Sequence, residues 1–146
     1  MHAISCGAEN SGPAVLLLHG FGVGAFIYEV NLRALAAQGF RAYAVDLLGQ
    51  GESWPRLDAL EEEIADLQFS CDTWIDQIQF MGQQLALGPV ILAGNSLGGF
   101  LGVHLAAIRP DLVSSLVLMN ATPFWSFQPH PDRSVVRAAA PLFPPY

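Results

Sequence analysis

The run Gly94-Asn95-Ser96-Leu97-Gly98 constrains this chain more than any other five residues in it. It follows the apolar stretch Val90-Ile91-Leu92-Ala93, which reads as a buried strand, and it precedes Phe100 to Ile108, which reads as a helix. A chain that turns from strand to helix in so few residues brings two backbones into near contact. Glycines two positions either side of the apex leave room for that approach. Ser96 at the apex is then held in a strained bend, with its hydroxyl projecting from the carboxyl end of the strand. In a chain with 14 glycines such a motif can arise by chance, and the strand before it and helix after it are what give it meaning.

The rest of the chain supplies a sheet for that bend to sit on. Ala14 to Leu18 is an apolar strand ending at His19-Gly20, preceded by turn chemistry at Asn10-Ser11-Gly12-Pro13. Phe26 to Gln38 reads as a helix with Phe26, Ile27, Val30, Ala34 and Leu35 near one face, and with Gly39 placed to cap it. Arg41 to Val45 is the next strand and ends at Asp46. Asp72 to Leu87 is an amphipathic helix with Trp74, Ile78, Met81 and Leu85 on one stripe. Val113 to Met119 is a further apolar strand. Strands alternating with helices imply parallel pairing with helices on both faces, so the fold class is α/β, a mostly parallel doubly wound sheet.

Composition removes several functions. A net charge of −7 leaves no basic face for nucleic acid. All six cationic residues are arginine, which excludes a phosphate-loop lysine, a Schiff base and a Ser-Lys dyad within this chain. Cys6 and Cys71 have neither metal spacing nor a disulfide framework, and read as free thiols or packing residues. No apolar run approaches a membrane span, and Met1 to Asn10 does not read as a signal peptide. The carboxylates Asp58, Glu61, Glu62, Glu63 and Asp66 read as a solvated segment rather than a metal site, and no cofactor is expected.

A serine hydroxyl needs a base to become a nucleophile, and its tetrahedral intermediate needs donors for the oxyanion. The donors are legible. The loop His19-Gly20-Phe21-Gly22 after the first strand offers the amide of Phe21, and the residue after Ser96 offers the amide of Leu97. Losing one such donor typically costs ~10²–10³ in rate.

A competing reading starts from the same loop. Gly20-Phe21-Gly22-Val23-Gly24-Ala25 also fits a dinucleotide-binding turn, with Asp46 ending the next strand as a ribose ligand. His19 ahead of the first glycine, and the strand–serine–helix bend two elements later, favour the oxyanion loop.

The base is not legible. His104 is eight residues along the helix from Ser96, about 12 Å away at 1.5 Å per residue. His19 belongs to the oxyanion loop and is expected to shape it. His130 stands two residues before Asp132, whereas in this kind of site the acid comes before the histidine along the chain. The acid and base are therefore expected beyond Tyr146, so that residues 1–146 form an incomplete domain with a core at about 13–122 and a proline-rich tail at 123–146.

Several stretches together resemble the pheophytinases, plastid α/β-hydrolases that remove phytol from pheophytin during chlorophyll breakdown. They are Gly94-Asn95-Ser96-Leu97-Gly98-Gly99-Phe100, Leu118 to Phe127 with its Asn-Ala-Thr-Pro-Phe-Trp run, His19-Gly20-Phe21-Gly22, and Asp46-Leu47-Leu48-Gly49-Gln50-Gly51. Tyr28-Glu29 and Trp74 to Gln77 add to them. The resemblance covers about Pro13 to Phe127. It implies a partial α/β-hydrolase fold, Ser96 as the acyl acceptor, a small-molecule ester substrate of the pheophytin type, and a chloroplast setting. It also implies that the fold's opening strands are missing or cut short before Pro13. Trp54, Phe124, Trp125 and Phe127 lie on loops after strands, where they either flank a substrate or seal the loops onto the core. The alternatives carried forward are a hydrolase of small esters or thioesters, a dinucleotide-binding protein, and a non-catalytic remnant that only binds.

Overall fold

Strand β2 (Ala14–Leu18) is buried at all five positions because both faces of the sheet are covered. Its side chains alternate. Leu16 and Leu18 join one apolar cluster, while Val15 and Leu17 join another. Strand β3 (Arg41–Val45) pairs with it in parallel and alternates in the same way, Tyr43 and Val45 on the first side and Ala42 and Ala44 on the second. The structure, a computed structural model, describes residues 1–54 and 69–122.

The sheet has five strands in the order β1-β3-β2-β4-β5, with β1 at Ala3–Cys6, β4 at Val90–Asn95 and β5 at Val113–Met119. All pairings are parallel except that of β1, which runs antiparallel along β3 with Ala3 opposite Val45. The sequence reading began the sheet at Ala14, and β1 adds one short strand ahead of it. Four residues of mixed burial carry too little periodicity to be read alone, and β1 exists because β3 offers it an edge.

One face of the sheet is covered by α2 (Cys71–Gln84) and α3 (Leu97–Ile108), the other by α1 (Glu29–Ala37) and the 3-10 turn Ala25–Tyr28 ahead of it. Ser70 caps α2 by accepting from the Thr73 amide. Trp74, Ile75, Ile78 and Met81 form the buried stripe of α2; Leu85 falls one residue past its end and is exposed. The expected face of α1 is also corrected. Phe26 and Val30 are exposed and Ile27 largely so, whereas Ala25, Tyr28 and Leu32 go inside. The 3-10 turn advances the chain by a different angle per residue, which rotates the apolar face from where an α-helix starting at Phe26 would put it.

The first turns of the loops are tied together by Asp46, which follows β3. Its side chain is buried and accepts from the amides of Ala25 and Glu52, and its Oδ2 lies 2.6 Å from His2 Nδ1. Gly51 (φ +55) lies directly against that carboxylate, where a Cβ would overlap it. Gln77 of α2 closes the other side, donating to the Asp46 carbonyl and accepting from the Leu48 amide.

Candidate active site

Ser96 occupies a backbone conformation that L-residues rarely adopt, with φ +50 and ψ −115, between β4 and α3. The surrounding packing forces it there. A Cβ on Gly94 would fall 2.3 Å from the carbonyl oxygen of Gly98, and one on Gly98 would fall 2.3 Å from the carbonyl oxygen of Leu18. The first glycine lets the strand and helix touch, and the second lets the helix start rest on the end of β2. Backbone bonds then clamp the bend: the Ser96 amide donates to Met119, and the Phe100 and Thr122 amides donate to the Ser96 carbonyl. Strain of this kind costs on the order of 1–3 kcal/mol and persists only where the surroundings impose it.

The loop after β2 meets the bend from the other side. A Cβ built on Gly20 would lie 3.2 Å from Ser96 Cβ. His19 is fully buried and uses both ring nitrogens inside this loop: Nδ1 donates to the Gly20 carbonyl at 2.6 Å, and Nε2 accepts from the Leu47 amide at 3.0 Å. It is thus a brace for the loop and is not free to act as a base. Phe21, next along, has an exposed side chain; the side chain of Leu97 is fully buried. Leu97 opens α3, so its amide is among the donors that no intrahelical carbonyl can satisfy. The positive end of α3 points at the same place.

The sequence reading missed the residues that touch these groups from afar. Thr122 Oγ1 lies 2.9 Å from Ser96 Oγ. Positive φ at Asn120, in the region that asparagine tolerates, turns the chain after β5 back over the bend. Gln50 Oε1 accepts from the Gly22 amide at 2.7 Å and so holds the far side of the oxyanion loop. The Asn-Ala-Thr run and the Gly-Gln-Gly turn were the signals for these two, but neither points to its partner without a fold.

Among the described residues, the remaining histidines, His2 and His104, do not approach Ser96 as bases. His2 is held by Asp46, and His104 packs on α3 with its ring 6.2 Å from that of Phe100. Among the described residues there is no cluster of metal-ligating side chains. His130, Phe124, Trp125, Phe127 and most of the acidic stretch after Trp54 lie outside the described residues.

The dinucleotide alternative loses its acidic residue, since both Asp46 oxygens are taken by protein donors and the side chain is buried. What decides the family is the match of residues 13–143 to the pattern of the alpha/beta hydrolase fold. This chain belongs to the α/β-hydrolase family. Within the family it is similar to chloroplastic pheophytinase of Arabidopsis thaliana, 41% identical over 92% of this chain and 32% of that protein. It is also 34% identical to bifunctional epoxide hydrolase 2 of Sus scrofa, over 98% of this chain and 24% of that protein. The chain spans about a third or less of the length of these two relatives. Among solved structures, the epoxide hydrolase VrEH1 from Vigna radiata superposes with a TM-score of 0.74 at 26% identity, over 97% of this chain and 42% of that one. A thioesterase domain from the curacin biosynthetic pathway gives 0.69 at 29% identity, over 96% and 47%. By resemblance, this α/β-hydrolase chain stands among hydrolytic enzymes and is pheophytinase-like in sequence. No described helix is long and apolar enough to cross a membrane.

Proposed function

We propose that this α/β-hydrolase chain carries the nucleophile and the oxyanion amides of a serine carboxylic ester hydrolase. Ser96 Oγ attacks the ester carbonyl and forms an acyl-enzyme, and the alcohol leaves. The negative oxygen is received by the amides of Phe21 and Leu97, and water later releases the acid. The observation that carries this reading is the strained Ser96 backbone at the junction of β4 and α3, with the Gly20 loop packed against it. Residues 1–146 belong to an α/β-hydrolase domain, with the part of its core that they supply at about 13–122. The general acid and base are assigned to none of the described histidines.

The substrate class follows the likeness to pheophytinase: a long-chain ester of the pheophytin type, in a plastid. The second reading is a hydrolase of smaller esters or thioesters, favoured by the structural likeness to the thioesterase domain.

A fluorophosphonate probe applied to the full-length protein, with whatever chain follows Tyr146, tests the chemistry. Covalent labelling at Ser96, abolished by Ser96→Ala, is the expected result, and absence of labelling removes the hydrolase reading. Phytol release from pheophytin tests the substrate. Hydrolysis of short esters without phytol release would select the second reading.

A further inference from the structure

A cleft of about 420 Å³ lies beside the proposed oxyanion loop and shares Phe21 with it. Its walls are aromatic. Trp54, Phe69 and Trp74 line it together with Phe21, and Leu48 adds an aliphatic side. These rings are set in place rather than loosely gathered. Phe69 lies on the backbone of Gly49, where a Cβ would sit 2.6 Å from the ring, and it meets Trp54 edge-on with centroids 6.2 Å apart. Both indole N–H groups are already used, Trp54 donating to the Gly51 carbonyl and Trp74 to the Leu48 carbonyl. The tryptophans therefore offer this cleft no free N–H donor.

Gln50 also lines the cleft and is 7% exposed. Its amide orientation is fixed, because Oε1 accepts from the Gly22 amide and a flipped amide would set donor against donor. The consequence is that Nε2 is buried with no hydrogen-bond partner, the sole such side-chain atom among the described residues. Buried donors are rarely left without an acceptor, and each exception needs an explanation.

We propose that the cleft binds the non-reacting part of the ester substrate, an apolar ring-bearing group that carries a hydrogen-bond acceptor, with Gln50 Nε2 donating to that acceptor. This inference rests on the ester-hydrolase reading for what is bound, and on the cleft alone for how. A flat ring system fills a space of this size against the aromatic walls, and one placed acceptor fixes its orientation.

The test uses two probes of nearly equal shape, 2-acetylnaphthalene and 2-ethylnaphthalene, with binding to the intact protein measured by equilibrium dialysis. The wild type is expected to bind the acetyl compound roughly fivefold more tightly, as one added hydrogen bond would give. Gln50→Glu keeps an oxygen for Gly22 and replaces the donor with an acceptor, so the preference is expected to vanish. Trp54→Ala is expected to weaken both compounds together, and it tests the cleft if the Gln50 variant does not fold. Equal wild-type affinity for the two probes, no binding of either, or undiminished binding to the Trp54 variant would overturn the proposal. Failure of Ser96 to react with fluorophosphonate while the acetyl preference stands would remove the hydrolase reading and leave the cleft's ligand class in place.

Discussion

Thr122 and Ser96 are joined twice, once by backbone and once by hydroxyl: the Thr122 amide donates to the Ser96 carbonyl at 3.0 Å, and the two hydroxyl oxygens lie 2.9 Å apart. The first contact holds the bend. The second fixes where the Ser96 hydroxyl points, which matters for a group that must approach a carbonyl along one direction. Thr122→Val keeps the branched shape and the backbone bond while removing the hydroxyl. We expect its stability to fall by no more than about 1 kcal/mol and its rate of fluorophosphonate labelling to fall several-fold. Thr122→Ser should restore the rate, and an unchanged rate in the valine variant would reduce the contact to packing.

The strain at Ser96 predicts a stability difference between two inactive variants. Alanine keeps a Cβ at φ +50, whereas glycine takes that conformation without steric cost. Ser96→Gly should therefore exceed Ser96→Ala in stability by about 1 kcal/mol, after the larger entropy of glycine in the unfolded chain is subtracted. Urea denaturation of the two proteins measures it.

Two helical glycines should respond in opposite ways to the same change. A Cβ on Gly98 would meet the carbonyl oxygens of Leu18 and His19 at 2.3 and 2.7 Å. Since both are backbone atoms, α3 itself must move off β2. Gly98→Ala is expected to cost about 2 kcal/mol or more and to slow labelling of Ser96. Gly82 in α2 has nothing within 4 Å of its Cβ position, so Gly82→Ala should stabilise the protein by about 0.5–1 kcal/mol. Thermal unfolding of both variants provides the comparison.

Asp46 sets an acid limit on the fold. Burial pushes its carboxyl pKa up, but hydrogen bonds from the Ala25 and Glu52 amides and the His2 contact outweigh burial and hold it below the ordinary carboxylate value of 3.8. A folded pKa below the unfolded one gives stability that is fully present above the unfolded value. That stability is lost as pH falls through the folded value. Urea midpoints should thus drop below about pH 4. In Asp46→Asn, the amide nitrogen turns a donor toward groups that are themselves donors. The variant should be less stable at pH 7 by about 2 kcal/mol and should show a shallower acid decline.

The sequence by itself determined β2, β3 and β5, whose bounds coincide with their apolar runs, and the strand–serine–helix bend between β4 and α3. Those features are written within a few consecutive residues, where apolar runs and glycine spacing act locally. Tertiary structure decided which partners the bend and its loops would have. Ser96 meets Thr122 across 26 positions, Gln50 reaches Gly22 across 28, and Asp46 meets His2 across 44. It also recruited Ala3–Cys6 to the edge of β3 and turned α1 so that Leu32, rather than Val30, faces the core. Contacts at such separations depend on the path of the whole chain through the sheet, and no short window of residues carries that path.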